Sequence, residues 1–200
     1  GKNAPSAHFE PERFVINLTK RSGPGSLAHE WFHAMDHYLF LKSGGDAKDG
    51  KPFLSEHCDD PNLRNVEAAR QFSRLFDIVR TKTDMGSRCG NLDRRRSSAY
   101  WELPEEIAAR CFESCVRSML DASGIGNDFL VNLKTREEYM KELALLRAGS
   151  DFEPEDLYPY LTEDETREVQ PVMEFLVSTF ARIVGAERNE GFSETSPGGR

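Results

Sequence analysis

Apolar and polar residues alternate near the start of the chain, then from about residue 26 the apolar ones recur every three or four positions. Ala7-His8-Phe9-Glu10 and Arg13-Phe14-Val15-Ile16-Asn17-Leu18 have strand character, and Pro11-Glu12 between them predicts a hairpin. Gly23-Pro24-Gly25-Ser26 is turn chemistry ending in an N-cap residue. Leu27, Trp31 and Met35 follow at helical spacing, and Ser43-Gly44-Gly45 closes that helix. A loop from Ser43 to Pro61 leads to a helix near 62–82 with Val66, Ala69, Phe72, Phe76 and Val79 on one face. An Arg-rich loop comes next, then a helix from Pro104 to about Ala122 with Ile107, Cys111 and Cys115 as its apolar stripe. Phe129 to Leu133 is a short apolar run suited to a strand or a lid. Thr135-Arg-Glu-Glu138 and Thr162-Glu-Asp-Glu165 are capping boxes that predict helices at about 135–148 and 162–186. Pro171 is expected to end or kink the last helix early, with Val172, Phe175, Leu176, Thr179 and Ile183 on its buried face.

The pattern predicts one mostly helical α+β domain over residues 1–186, with a small antiparallel β element, followed by a polar linker or disordered tail over 187–200. The absence of methionine at position 1 suits a domain excised from a larger protein. A net charge of −8 argues against a nucleic-acid surface, which needs Lys and Arg in excess. Arg94-Arg95-Arg96 is the local exception, a solvated loop or a phosphate clamp. No stretch approaches the ~20 apolar residues of a membrane span, and the start has no signal-peptide pattern. Cys58, Cys89, Cys111 and Cys115 form no CxxC, so reduced, buried thiols in a cytoplasmic protein are expected.

The chemistry is concentrated in His29-Glu30-Trp31-Phe32-His33, an HExxH. On a helix, residues four apart lie on one face about 5–6 Å apart at Cβ, so two imidazoles can grip one metal ion with the Glu beside it. Core or surface histidines of an ordinary amphipathic helix are the alternative if no third ligand exists. The metzincin continuation is excluded, because its glycine position is Asp36 and its third-His position is Leu39. A gluzincin instead takes a Glu from a second helix, and Pro104-Glu105-Glu106-Ile107-Ala108-Ala109-Arg110-Cys111-Phe112-Glu113 is the candidate. Glu106 lies beside the apolar stripe near the helix start, where an ordinary acid favoured by the helix dipole also belongs.

Ala28-His29-Glu30-Trp31-Phe32-His33-Ala34-Met35-Asp36-His37-Tyr38, Ala99-Tyr100-Trp101 and Pro104 to Glu113 together resemble the large polyvalent protein-associated domain family, first type. Its members are modules of very long phage and conjugative-element proteins. The resemblance includes the opening, Gly1-Lys2 through His8-Phe9-Glu10-Pro11 to Val15-Ile16-Asn17-Leu18-Thr19-Lys20. It covers most of residues 1–120 and is weaker afterwards. More remotely, HExxHAxDxY followed by ExxAxxF is similar to the catalytic domain of anthrax lethal factor, a gluzincin-type peptidase. That similarity implies a zincin-like fold, Glu106 as third zinc ligand in preference to Glu105 or Glu113, and Tyr100 as the nearest equivalent of a catalytic tyrosine, one residue closer to the ligand.

The chain departs from that pattern four residues after Glu106, where thermolysin-like enzymes carry an acid that supports a zinc-bound His and this chain has Arg110. A zinc-bound imidazole normally donates its other N–H to a carboxylate or carbonyl. Asp36, on the same helical face as the two histidines, is one candidate partner and a solvated acid the alternative. Arg110 is expected to pair with Asp36, bind a substrate carboxylate or form a plain surface salt bridge. His37 has drifted around the helix and is expected at the surface or behind a ligand, not on the metal.

These features imply a Zn²⁺ held by His29, His33 and Glu106, with Glu30 as general base for an attacking water and Tyr100 as oxyanion donor. The expected activity is hydrolysis of peptide bonds in a protein or peptide substrate, in the cytoplasm or in a recipient cell reached with mobile DNA. A zinc-containing binding or protective module without turnover is the alternative. Direct binding to DNA or to a restriction enzyme comes third, because the charge is wrong for DNA.

Overall fold

A computed structural model describes residues 7–18, 25–46, 50–63, 66–146 and 154–193. The segments 1–6 and 19–20 of the resemblance, the turn residues Gly23 and Pro24, and the last seven residues of the expected tail lie outside the described residues.

Strand β1 (Ala7–Glu10) pairs antiparallel with β2 (Val15–Leu18), Ala7 opposite Leu18 and Glu10 opposite Val15. Ala7 and Phe9 are buried and His8 is exposed, the alternation of a strand with one face on the core. The connecting turn holds Phe14 at φ 54°, a left-handed conformation unusual for a bulky side chain. Its ring meets Phe9, and His37 and Tyr38 of the next helix, so packing offsets the backbone cost.

Helix α1 (Leu27–Lys42) is buried on most of its circumference: Ala28, Phe32, Met35, Leu39 and Phe40 enter the core, and Glu30, His33, Asp36 and His37 are also buried. Ser26 occupies the N-cap position but its side chain makes no capping bond. The orphan Ala28 N–H instead donates to the Leu130 carbonyl at 3.1 Å. Gly25 N–H donates to Phe129 O at 2.9 Å and Asn132 N–H to Gly25 O at 3.1 Å. The 129–133 run is thus neither a strand nor a lid but a strap tied to the start of α1, with Val131 and Leu133 packed on Ala28. Gly25 is irreplaceable there, since its φ is +94° and an added Cβ would lie 2.3 Å from Asn132 Cβ. Gly25→Ala is expected to cost at least about 1–2 kcal/mol from the backbone alone, read as a lower denaturant midpoint at unchanged slope.

Four further helices follow α1: α2 (Glu67–Lys82), α3 (Met85–Asp93), α4 (Pro104–Ala122) and α5 (Arg136–Leu146). The long α6 (Glu163–Ser193) completes the set. Helix α3 replaces much of the expected Arg-rich loop. Gly86 and Gly90 lower its helix propensity, but Met85, Cys89 and Leu92 are buried at i, i+4 and i+7 and burial prevails. Both capping boxes form, with Thr135 N–H on Glu138 and Thr162 N–H on Glu165 and the reciprocal bonds to the threonine hydroxyls.

Pro171 does not end α6, which continues past residue 186 through Ser193. Val169, Val172, Met173 and Leu176 are buried on both sides of the proline, so one continuous contact outweighs the single lost backbone bond. Phe175, expected on that buried face, is 39 % exposed. One core, including Phe32, Leu39, Phe72, Leu75, Ala108, Cys111, Val169 and Leu176, joins α1, α2, α4 and α6. All four cysteines are free, three of them buried. Among the described residues no helix is long and apolar enough to cross a membrane.

Candidate metal centre

Helices α1 and α4 pack against each other, which carries the His29/His33 face of one onto the first turn of the other. Pro104 at the start of α4 presets its first turn, and Glu106 points from that turn toward the two imidazoles. His29 Nε2 lies 3.1 Å from His33 Nε2 and 3.4 Å from Glu106 Oε2, and His33 Nε2 lies 3.6 Å from Glu106 Oε1. Three ligands each ~2.1 Å from a tetrahedral ion would stand about 3.4 Å apart, so the three side chains approach that spacing as a triangle, Glu106 turning a different carboxylate oxygen toward each imidazole. Among the described residues it is the one group of His, Cys, Asp and Glu so arranged.

The surroundings favour a cation at that point. Burial opposes charge on His29, yet Glu106 and Glu113 on either side overcome it and push its pKa up to about 10. Burial likewise opposes charge on Glu106, but the two histidines hold its carboxyl well below the usual range. Two facing imidazole nitrogens cannot both remain lone pairs without a proton or a metal between them and the carboxylate.

Glu113, seven residues beyond Glu106 and so on the same face of α4, reaches His29 Nδ1 at 3.3 Å. It is the carboxylate expected behind a zinc-bound imidazole. Asp36 is not: fully buried, it accepts Ser55 N–H at 3.0 Å and ties the Leu54–His57 turn to α1. Burial, opposed by bonds from that turn, raises its pKa to about 7. Asp36 has the spacing, three residues past His33 and seven past His29, but the Ser55 N–H of the turn takes its carboxylate.

Arg110 pairs neither with Asp36 nor at the surface. It is 2 % exposed, donates from Nη1 to Glu106 Oε2 at 3.1 Å and from Nη2 to Trp101 O at 2.5 Å, and stacks on the Trp101 ring. The residue that departs from the thermolysin-like pattern therefore holds the Glu106 carboxylate, while Glu113 contacts His29. His37 is not at the surface, being buried with Nδ1 2.7 Å from Pro52 O.

Tyr100 comes to the site as well. Its ring stands edge-on to Trp101 at 5.2 Å, and burial, followed by the nearby Glu106 carboxylate, pushes its hydroxyl pKa up, with Glu30 adding to the effect. Glu30 is buried on α1, one residue after His29 and three before His33. Glu105 is no part of the triangle. Arg94, Arg95 and Arg96 are exposed, and the Arg96 guanidinium lies 5.2 Å from the Tyr100 ring centre. A separate cavity of about 570 Å³ between α4, the 133–136 segment and the start of α6 shares no residue with the metal site.

The comparison with known families can now be set against this geometry. Residues 92–183 match large polyvalent protein-associated domain 1. The matched segment is a little under half of the chain and contains Tyr100, Glu106, Arg110 and Glu113 but not α1. The match shares residues 92–120 with the resemblance seen in the sequence and continues to residue 183, and the HExxH helix lies outside it. No curated protein and no solved structure matches the chain.

Proposed function

We propose that the domain is a zinc-dependent peptidase of gluzincin type with a zincin-like site, in which His29, His33 and Glu106 hold the metal. The observation that carries this is the convergence of the two imidazole Nε2 atoms, 3.1 Å apart, on the Glu106 carboxylate, one oxygen 3.4 Å from His29 and the other 3.6 Å from His33, supported by Glu113 behind one side chain and Arg110 behind another. A bound Zn²⁺ would supply Lewis acidity and bring the pKa of a coordinated water to about 7.

The chain's own groups then have separable duties. Glu30, between the two ligand histidines on α1, takes the proton of the attacking water and hands it to the departing amine nitrogen. Tyr100 keeps its proton across the working pH range because burial and Glu106 raise its pKa, so its hydroxyl is a donor for the developing oxyanion. Arg110 and Glu113 keep Glu106 and His29 in their rotamers and move no proton.

Tyr100→Phe tests the donor. It keeps the ring on Trp101 and deletes only the hydroxyl, so kcat is expected to fall by about a hundredfold or more, roughly 2.7–4 kcal/mol, with KM, zinc content and melting temperature little changed. Wild-type kcat in that variant removes Tyr100 from the chemistry and leaves it as a packing partner of Trp101.

A second function has one observation in its favour. The ligand side chains are only 14 %, 8 % and 12 % exposed for His29, His33 and Glu106, which also suits a closed structural zinc site in a non-hydrolytic module of a polyvalent protein. Incubating the zinc-loaded protein with an unstructured protein substrate separates the two. Cleavage that stops on chelation and returns with Zn²⁺ supports the peptidase, and zinc bound without any cleavage supports the binding module.

A further inference from the structure

Asp93, the last residue of α3, lies outside the metal site yet is connected to it through a continuous set of hydrogen bonds. Its carboxylate accepts three consecutive backbone N–H groups: Tyr100 at 3.0 Å, Trp101 at 3.0 Å and Glu102 at 2.9 Å. These bonds fold the 100–102 segment into one turn, whose Trp101 carbonyl faces Arg110 Nη2 at 2.5 Å. The Arg110 guanidinium is 4.8 Å from the Trp101 ring centre and 5.7 Å from that of Tyr100, and its Nη1 holds Glu106 Oε2 at 3.1 Å. The same turn leads into α4, where Leu103 O accepts the Glu106 N–H at 3.0 Å.

We infer that Asp93 is a positioning residue for the metal centre: by gathering the N–H groups of residues 100–102 it sets the Trp101 carbonyl and the Tyr100 ring, which fix Arg110, which fixes Glu106. This rests on the metal site proposed above. A carboxylate suits the task because one group with two oxygens must satisfy three donors in a row, as the anion in a nest of backbone N–H groups does, and the partly exposed site leaves it ionised. Burial opposes that charge, but the three N–H groups and Arg96 more than compensate and hold the carboxyl below its ordinary range. Arg110 suits its end because its planar fork bonds a carbonyl and a carboxylate at once, which a lysine cannot reproduce. The sequence signal for Asp93 is weak: an acid at the end of a Gly-rich segment, seven residues before a tyrosine.

Zinc affinity, measured by competition with a chromophoric chelator on the intact chain, tests the connection without relying on turnover. Asp93→Ala and Arg110→Lys are each expected to weaken zinc binding on the order of tenfold, the low end for residues that support metal ligands. The double variant is expected to bind about as weakly as Arg110→Lys alone, because both changes cut one chain of contacts. Asp93→Asn, which keeps one acceptor oxygen and the side-chain shape, guards against a folding failure and is expected to lose a few-fold.

A purely structural Asp93 predicts otherwise: a lower melting temperature of the metal-free protein with zinc affinity unchanged where both forms are folded. Unchanged affinity in Asp93→Ala or Asp93→Asn, or losses that multiply fully in the double variant, would overturn the inference. A wild-type chain that binds no zinc would instead overturn the metal site itself, and the inference with it.

Discussion

Glu30→Gln is expected to abolish hydrolysis while zinc content and fold remain those of the wild type. The amide has the shape of the carboxylate but cannot take the proton of an attacking water, and general-base catalysis by one positioned group is worth roughly 10²–10⁴-fold. At 1.36 kcal/mol per decade that is about 2.7–5.5 kcal/mol of barrier. The loss is expected in kcat and kcat/KM together, because the proton is in flight only in the transition state. Glu30 is not among the atoms of the ligand triangle, so its replacement is expected to leave the zinc in place. Wild-type cleavage by Glu30→Gln would place the chemistry elsewhere.

Arg88→Met is expected to be the most damaging change away from the metal site. Arg88 reaches from α3 to α6 and donates from Nη1 and Nη2 to Glu165 at 3.0 and 2.7 Å, from Nε to Tyr158 O at 2.8 Å and from Nη2 to Tyr160 O at 2.8 Å. Both side chains are about 10 % exposed, so removing one charge leaves the other buried without its partner. Breaking such a pair costs about 3–5 kcal/mol, which for a chain of this size is roughly 6–20 °C of melting temperature. A loss under about 1 kcal/mol would show that the pair behaves as a surface one.

The pair also sets an acid limb. Burial opposes charge on Glu165, but Arg88 and two backbone N–H groups lower its pKa from 4.5 to about 2. A depressed folded-state value means its stabilisation is complete above 4.5 and disappears as pH falls toward 2. Arg88→Met should therefore flatten the stability profile in that window.

The elements that could be read from the chain are those whose signals are local. The hairpin alternation, the HExxH helix, Pro104 at the start of α4 and the two capping boxes each depend on residues within one turn of each other, and each forms. Helix α3 escapes because its evidence is tertiary: two glycines argue against it, and only the burial of Met85, Cys89 and Leu92 supports it. The strap at 129–133 escapes for the same reason, its backbone partners lying about a hundred residues earlier at Gly25 and Ala28.

In the site, the ligand spacing on α1 was legible because helix geometry alone fixes it. Which groups stand behind the ligands was not, because that depends on how α1 and α4 cross. Glu113 was within reach, since a second acid two turns beyond Glu106 lies on the same face. Asp36 satisfied the same spacing rule, seven residues past His29, but its buried turn partner at Ser55 left no mark in the sequence.

Elemental analysis of the purified chain decides whether His29, His33 and Glu106 bind one zinc ion. One equivalent of zinc per chain is expected in the wild type, retained in Glu30→Gln and lost in His33→Ala and Glu106→Gln. Wild-type protein without zinc, or Glu106→Gln with its full equivalent, would contradict the assignment.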